Sequence, residues 1–227
     1  MTMSGKSGSF EVFSRRAWPV LAEFWGDAFA NAVIADARRE YPGVAARIQD
    51  IGGWRNVFTP VMKILGWLIA LDAAMKRRGK SAEDTIAVAF AVADRQFRAL
   101  PDWLLKLAGT LAFSRPSRWL FRRQAARSQR KQYPADFVYE VEERSDGEMS
   151  LVFSDCAVNK HFDAEGLTDL KPYCNFFDVA YSRLMNMGID AHETIGLGCE
   201  RCALRFKHGR ETAVPKALSG VIGERPN

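Results

Sequence analysis

Apolar side chains recur at three- and four-residue steps through the first 132 residues of the chain, and at alternate positions after Pro134. The first period is that of an α-helix with one covered face; the second is that of a half-covered β-strand. Trp18, Leu21, Trp25, Ala28 and Ala32 make one helical stripe, and Val57, Val61, Ile64, Leu68, Leu71 and Met75 make a second. A third runs through Ile86, Phe90, Ala93, Phe97 and Leu100. It opens at Ser81 with Asp84 three residues on, the spacing of a capping box.

Beyond Pro134, Phe137, Tyr139 and Val141 alternate with Val138, Glu140 and Glu142, "SDG" supplies turn residues, and Met149, Leu151 and Phe153 alternate again. That pattern predicts a hairpin. "SDCAVNKHFDAEG" predicts a short helix begun at Ser154 or Asp155 and stopped at Gly166. "KPYCNFFDVAYSRLMNMG" predicts another, with Pro172 in its first turn and Gly188 just past its end. A closing hairpin is expected around "TIGLGCERCALRF", with Ile195 and Leu197 before the turn and Leu204 and Phe206 after it.

The fold class is therefore α+β: an N-terminal helical segment packed on a small antiparallel sheet with two further helices. The expected boundaries are a disordered N-terminus at 1–15, the helical segment at 16–132, an α+β segment at 133–209 and a loose tail at 210–227, all within one compact unit. At 227 residues and 48% hydrophobic content the chain can bury a sizeable core. The most apolar run, "ILGWLIAL" at 64–71, is far shorter than the roughly 20 residues a membrane span needs. No export signal is read at the N-terminus, and a cytoplasmic protein is expected.

Net charge is +5, with much of the excess in "SRPSRWLFRRQAARSQRK" at 114–131. This segment loses its apolar face after Phe121, so its basic side chains are expected in solvent, and neither nucleic acid nor a membrane is the expected partner. No internal repeat, dinucleotide fingerprint or phosphate loop occurs.

All four cysteines lie between 156 and 202. In a reducing compartment they are free for catalysis or metal binding. Cys156 and Cys174 fall in the first turns of predicted helices, where unpaired N–H groups favour a thiolate. Lys160 and Asp178 each follow one of these cysteines by four residues, on the same helical face. Cys199 and Cys202 have zinc-knuckle spacing but no second close pair, and they sit between strands rather than opening a helix, so neither a knuckle nor a redox dithiol is expected. His161, His192 and His208 are read as surface residues.

The stretch Cys156 to Phe206 resembles the L-2-amino-thiazoline-4-carboxylic acid hydrolase family. The matching features are Cys156, Lys160, Phe162, Gly166 and Leu167, then Cys174 and Asp178, then Thr194, Gly198, Cys202 and Phe206. The resemblance implies hydrolytic opening of a thiazoline-like or cyclic amidine ring in a small-molecule substrate, at a C–N or C–S bond. Cys156 or Cys174 would be the nucleophile, Asp178 the acid or base, and Lys160 or Arg205 the carboxylate clamp. Cys202-Ala203-Leu204 stands where the family usually has Cys-Asp-Phe.

The closing hairpin also resembles the 4-vinyl reductase-type ligand-binding domain, in which cysteines and an acidic residue hold structural zinc. That likeness implies an alternative without turnover, a metal-stabilised small-molecule-binding or sensor module. Cys156, Cys174 and Cys202 would hold zinc, or less readily an iron–sulfur cluster, with Asp178 or Glu193. Thr194 stands where that domain carries another cysteine, and Cys199 lies outside both patterns and is expected to be dispensable.

Overall fold

The computed structural model describes residues 3–222 and has the α+β architecture that the two periods predict. Helices α1 (Met3–Trp25), α2 (Asp27–Arg47), α3 (Thr59–Lys76), α4 (Ala82–Arg98), α5 (Asp102–Ala112) and α6 (Arg115–Ser128) precede strands β1 (Val138–Glu143) and β2 (Met149–Asp155). After them come α7 (Ala157–Ala164), α8 (Phe176–Met185), β3 (Ile189–Glu193), β4 (Cys202–Phe206) and the short α9 (Lys216–Ser219). The chain divides into two compact units where the sequence suggests one. The first is Met1–Val92 with Val221–Asn227, the second is Ala93–Gly220, and the division falls inside α4.

In the first unit α2 packs on α3, and α1 packs on both. The stretch expected to be disordered, 1–15, is helical from residue 3. Phe10 explains why: it is buried and stacks on Tyr41 with ring centroids 4.4 Å apart. The first predicted stripe breaks at Gly26, whose φ of 85° ends α1. The buried face of α2 is accordingly re-phased to Ala30, Val33, Ile34, Ala37, Tyr41 and Val44, leaving Ala28 exposed. The capping box at α4 forms as predicted. Ser81 N–H donates to Asp84 Oδ2 at 2.9 Å and Asp84 N–H to Ser81 Oγ at 3.2 Å.

In the second unit the sheet order is β1-β2-β4-β3, antiparallel throughout. The last strand in the chain is thus inserted between two earlier ones. Paired residues on neighbouring strands share a face, so the register Phe153↔Cys202, Leu151↔Leu204 and Met149↔Phe206 places Cys202 on the apolar, covered side. Ser150↔Arg205 and Glu193↔Ala203 define the opposite side. Helix α6 packs on β1 and remains anchored beyond Phe121. Tyr139 N–H donates to Ser128 Oγ at 3.1 Å, and the Tyr139 hydroxyl donates to Phe121 O at 3.2 Å.

Four local expectations are corrected. Ile195 and Leu197 are not in a strand; they form a 3-10 turn, and the strand is Ile189–Glu193. Pro172 belongs to a separate 3-10 turn, Thr168–Tyr173, and α8 begins only at Phe176. Helix α7 is capped by Cys156, because β2 continues through Asp155. The tail beyond 209 is not loose: Arg210 donates to Gly188 O, Arg205 O and Glu148 Oε2 at 2.7–2.9 Å, and Leu218 is fully buried. Residues 223–227 of that predicted tail lie outside the described residues.

Candidate functional site

Three segments of the second unit converge on a cluster of thiols. Cys156 sits at the junction of β2 and α7, Cys174 follows the 3-10 turn before α8, and Cys202 opens β4. Cys202 is buried, whereas Cys156 and Cys174 retain some exposed surface. Asn159 Nδ2 donates to the Cys156 sulfur at 3.3 Å, and Cys202 is the neighbour that most affects the acidity of that thiol.

The sequence "TIGLGC" supplies the wall behind these sulfurs. Thr194 Oγ1 accepts from Leu197 N–H at 3.3 Å and caps the 3-10 turn. Ile195 N–H donates to Cys202 Sγ at 3.1 Å. Gly196 packs so tightly that a Cβ there would lie 2.1 Å from Lys171 O and 3.0 Å from Cys174 Sγ. Gly198, at φ 90°, then reverses the chain toward β4.

These contacts set the acidities. The Cys156 thiol is lowered to about 7, first by the hydrogen bond from Cys202 and then, against the cost of burial, by Asn159 and the N–H groups that open α7. Cys174 is pushed up, chiefly by burial and then by the neighbouring Cys156 charge. Cys202 is pushed up because its proton is held in the bond to Cys156. Burial raises the Asp178 carboxyl to about 6, although the Tyr181 hydroxyl donates to its Oδ1 at 2.9 Å and partly opposes the shift. Of the three thiols, Cys156 is the one whose acidity is raised by its surroundings.

The other sequence-predicted site residues go elsewhere. Lys160 Nζ pairs with Asp155 Oδ1 at 2.8 Å and Pro134 O at 3.1 Å, away from the sulfur it was expected to support. Its backbone N–H does bond Cys156 O, but the residue three on, Asn159, is the one whose side chain meets the thiol. Arg205 lies on the opposite sheet face from Cys202, where it pairs with Glu193 at 2.6 Å. Strand parity puts Glu193 on that same far face, also bound to Arg201, so it is no partner for the cysteines. Cys199 N–H bonds Thr194 O, and its thiol takes no part in the bonds of the other three.

His161 is buried rather than on the surface, its Nδ1 2.7 Å from Ala157 O. His192 and His208 are exposed as expected. Asn159, Tyr181 and Gly196 were missed. Of these, Asn159 was within reach of the sequence, since the third residue after a helix cap faces back toward it.

Among the described residues no group of three or more His, Cys, Asp and Glu side chains is arranged to hold a metal ion. The donor set does not fit zinc or an iron–sulfur cluster. Glu193, the oxygen ligand expected beside the cysteines, is on the far face of the sheet. No protein-family model, curated protein or solved structure matches the chain.

Proposed function

We propose that the second unit is a thiol hydrolase acting on a small thiazoline-like or cyclic amidine substrate, with Cys156 as nucleophile and Asp178 as proton donor. The observation that carries this reading is the opposed tuning of the two groups. Cys156 is lowered to about 7 and Asp178 is raised to about 6, so both groups titrate close to neutrality. Two groups that exchange protons near neutral pH suit nucleophilic attack by the thiolate fraction and protonation of a leaving group by the acid fraction.

In the proposed sequence the Cys156 thiolate adds to the ring carbon bonded to both sulfur and nitrogen. The ring C–S bond breaks, and Asp178 gives its proton to the departing sulfur. Water then attacks the same carbon, Asp178 takes the water's proton, and Cys156 leaves as thiolate. The net change is addition of one water, giving a carbamoyl product and a free thiol. Asn159 and Cys202 position the Cys156 sulfur through their bonds to it. No clamp for a substrate carboxylate is assigned, because Lys160 and Arg205 are engaged elsewhere.

The test is incubation of the purified protein with 2-amino-thiazoline-4-carboxylate and cyclic amidine analogues, with product followed by mass spectrometry. Turnover that Cys156→Ser and Asp178→Asn both abolish, in folded protein, supports the assignment. Saturable binding with no turnover in any analogue would sink it and leave a small-molecule-binding module.

A further inference from the structure

Helix α5 has two apolar faces. Leu105 and Gly109 are buried toward α8, and a Cβ on Gly109 would lie 1.9 Å from Met185 O. At about 100° per residue, Trp103, Leu104, Leu107 and Leu111 fall on one stripe roughly opposite that buried side. They are 68, 37, 45 and 54% exposed. The Phe113–Ser114 turn joins this helix to α6, where Trp119 and Leu120 are also exposed.

Around these apolar side chains the charge is strongly one-sided. Residues 102–131 hold eight basic side chains and a single acidic one, against +5 for the whole chain, so the remaining residues are net acidic. Arg118 and Arg122 are held on Glu143. Arg123 lies 5.2 Å from the Trp119 ring centroid, and among the described residues no carboxylate pairs with Arg115, Arg123 or Arg130.

We propose that α5 and the start of α6 form a docking surface for an anionic lipid bilayer, lying in the plane of the interface. No helix among the described residues is long and apolar enough to cross a membrane, and α5 has 11 residues, which suits an in-plane helix. Leucine and tryptophan enter the boundary between headgroups and acyl chains while arginine meets lipid phosphates. A nucleic acid would use the arginines but give the α5 leucines nothing to cover them. A two-fold pairing of this surface with itself would oppose two strongly basic faces.

The experiment is flotation of the full chain with phosphatidylcholine vesicles containing either no phosphatidylserine or about 30% phosphatidylserine, at about 0.1 and 0.5 M NaCl, alongside light scattering. Expected are binding to the anionic vesicles at low salt, at least tenfold weaker binding to the neutral ones, and loss at high salt. Trp103→Ser with Leu107→Ser should lower binding tenfold or more at unchanged circular dichroism, and Arg115→Ala with Arg123→Ala should remove the preference for anionic lipid. Equal binding by the parent and the Trp103/Leu107 variant overturns the proposal. So does a dimer that Leu107→Ser dissociates, or RNA binding that is tighter than vesicle binding and indifferent to Trp103 and Leu107.

Discussion

The thiol cluster and the α5–α6 surface break the ordinary pattern of burial in opposite directions. One encloses groups that ionise, Cys156, Cys174 and Asp178; the other leaves Trp103, Leu107, Leu111 and Trp119 in solvent. Packing alone selects neither arrangement. They also differ in how energy is distributed. At the cluster a few close contacts fix each acidity, so a single atom can matter a great deal. On the surface, attraction is spread over several leucines, tryptophans and arginines, and each contributes a modest share.

The contrast is broken most severely at Cys156. Cys156→Ser should lower thiazoline hydrolysis by on the order of 10³-fold or more, as removal of a nucleophile does, and should abolish the iodoacetamide reactivity that rises through about pH 7. Cys202→Ala should move that rise to higher pH, whereas Cys199→Ala should change neither measurement. Equal effects of the last two substitutions would contradict the separation of the two cysteines.

Gly196→Ala comes next. Its Cβ has no room between Lys171 O and Cys174 Sγ, so a loss of about 1–3 kcal/mol is expected from overpacking, read as a lower denaturant midpoint. Trp103→Ser, by contrast, should leave that midpoint nearly unchanged, since its side chain is mostly exposed.

A smaller effect is the pH dependence of stability. Asp178 is raised from 3.8 to about 6, so the folded state holds a proton that the unfolded state has lost, and stability should fall as pH rises from about 4 through 6. Cys156 is lowered from 9.0 to about 7, which reverses the sign, and stability should climb between about 7 and 9. Each limb should be on the order of 1–3 kcal/mol. Asp178→Asn should flatten the first and Cys156→Ser the second in chemical denaturation at a series of pH values. The smallest effect is expected at Lys160: Lys160→Ala, losing a partly exposed pair with Asp155, should cost no more than about 1 kcal/mol and leave the thiol titration in place.

Much of the fold was legible because its two periods are strong. The third stripe through Ile86, Phe90 and Ala93 is buried, and the first hairpin pairs Val141 with Leu151. What the sequence obscured has particular physical causes. Gly26 resets the phase of the first stripe, and the two 3-10 turns around Pro172 and Gly196 have no apolar period of their own. Cys156 could be nominated from its place at the start of α7, whereas Cys174, expected in the first turn of a helix, lies before α8 and its thiol is pushed up by burial rather than lowered. Arg205 could have been excluded by counting alone, since an odd separation from Cys202 along one strand points the two side chains to opposite faces. The outward stripe of α5 escaped because an apolar helix face reads as core until a structure shows which side is already covered.

The placement of β4 between β2 and β3 also has a consequence in time. During synthesis Cys156 and Cys174 emerge well before Cys202, and β3 emerges before the strand it pairs with. Until β4 slots in, Cys156 lacks the neighbour that contributes most to its acidity, so in a chain that has not reached residue 202 its thiol should stay closer to an ordinary sulfhydryl.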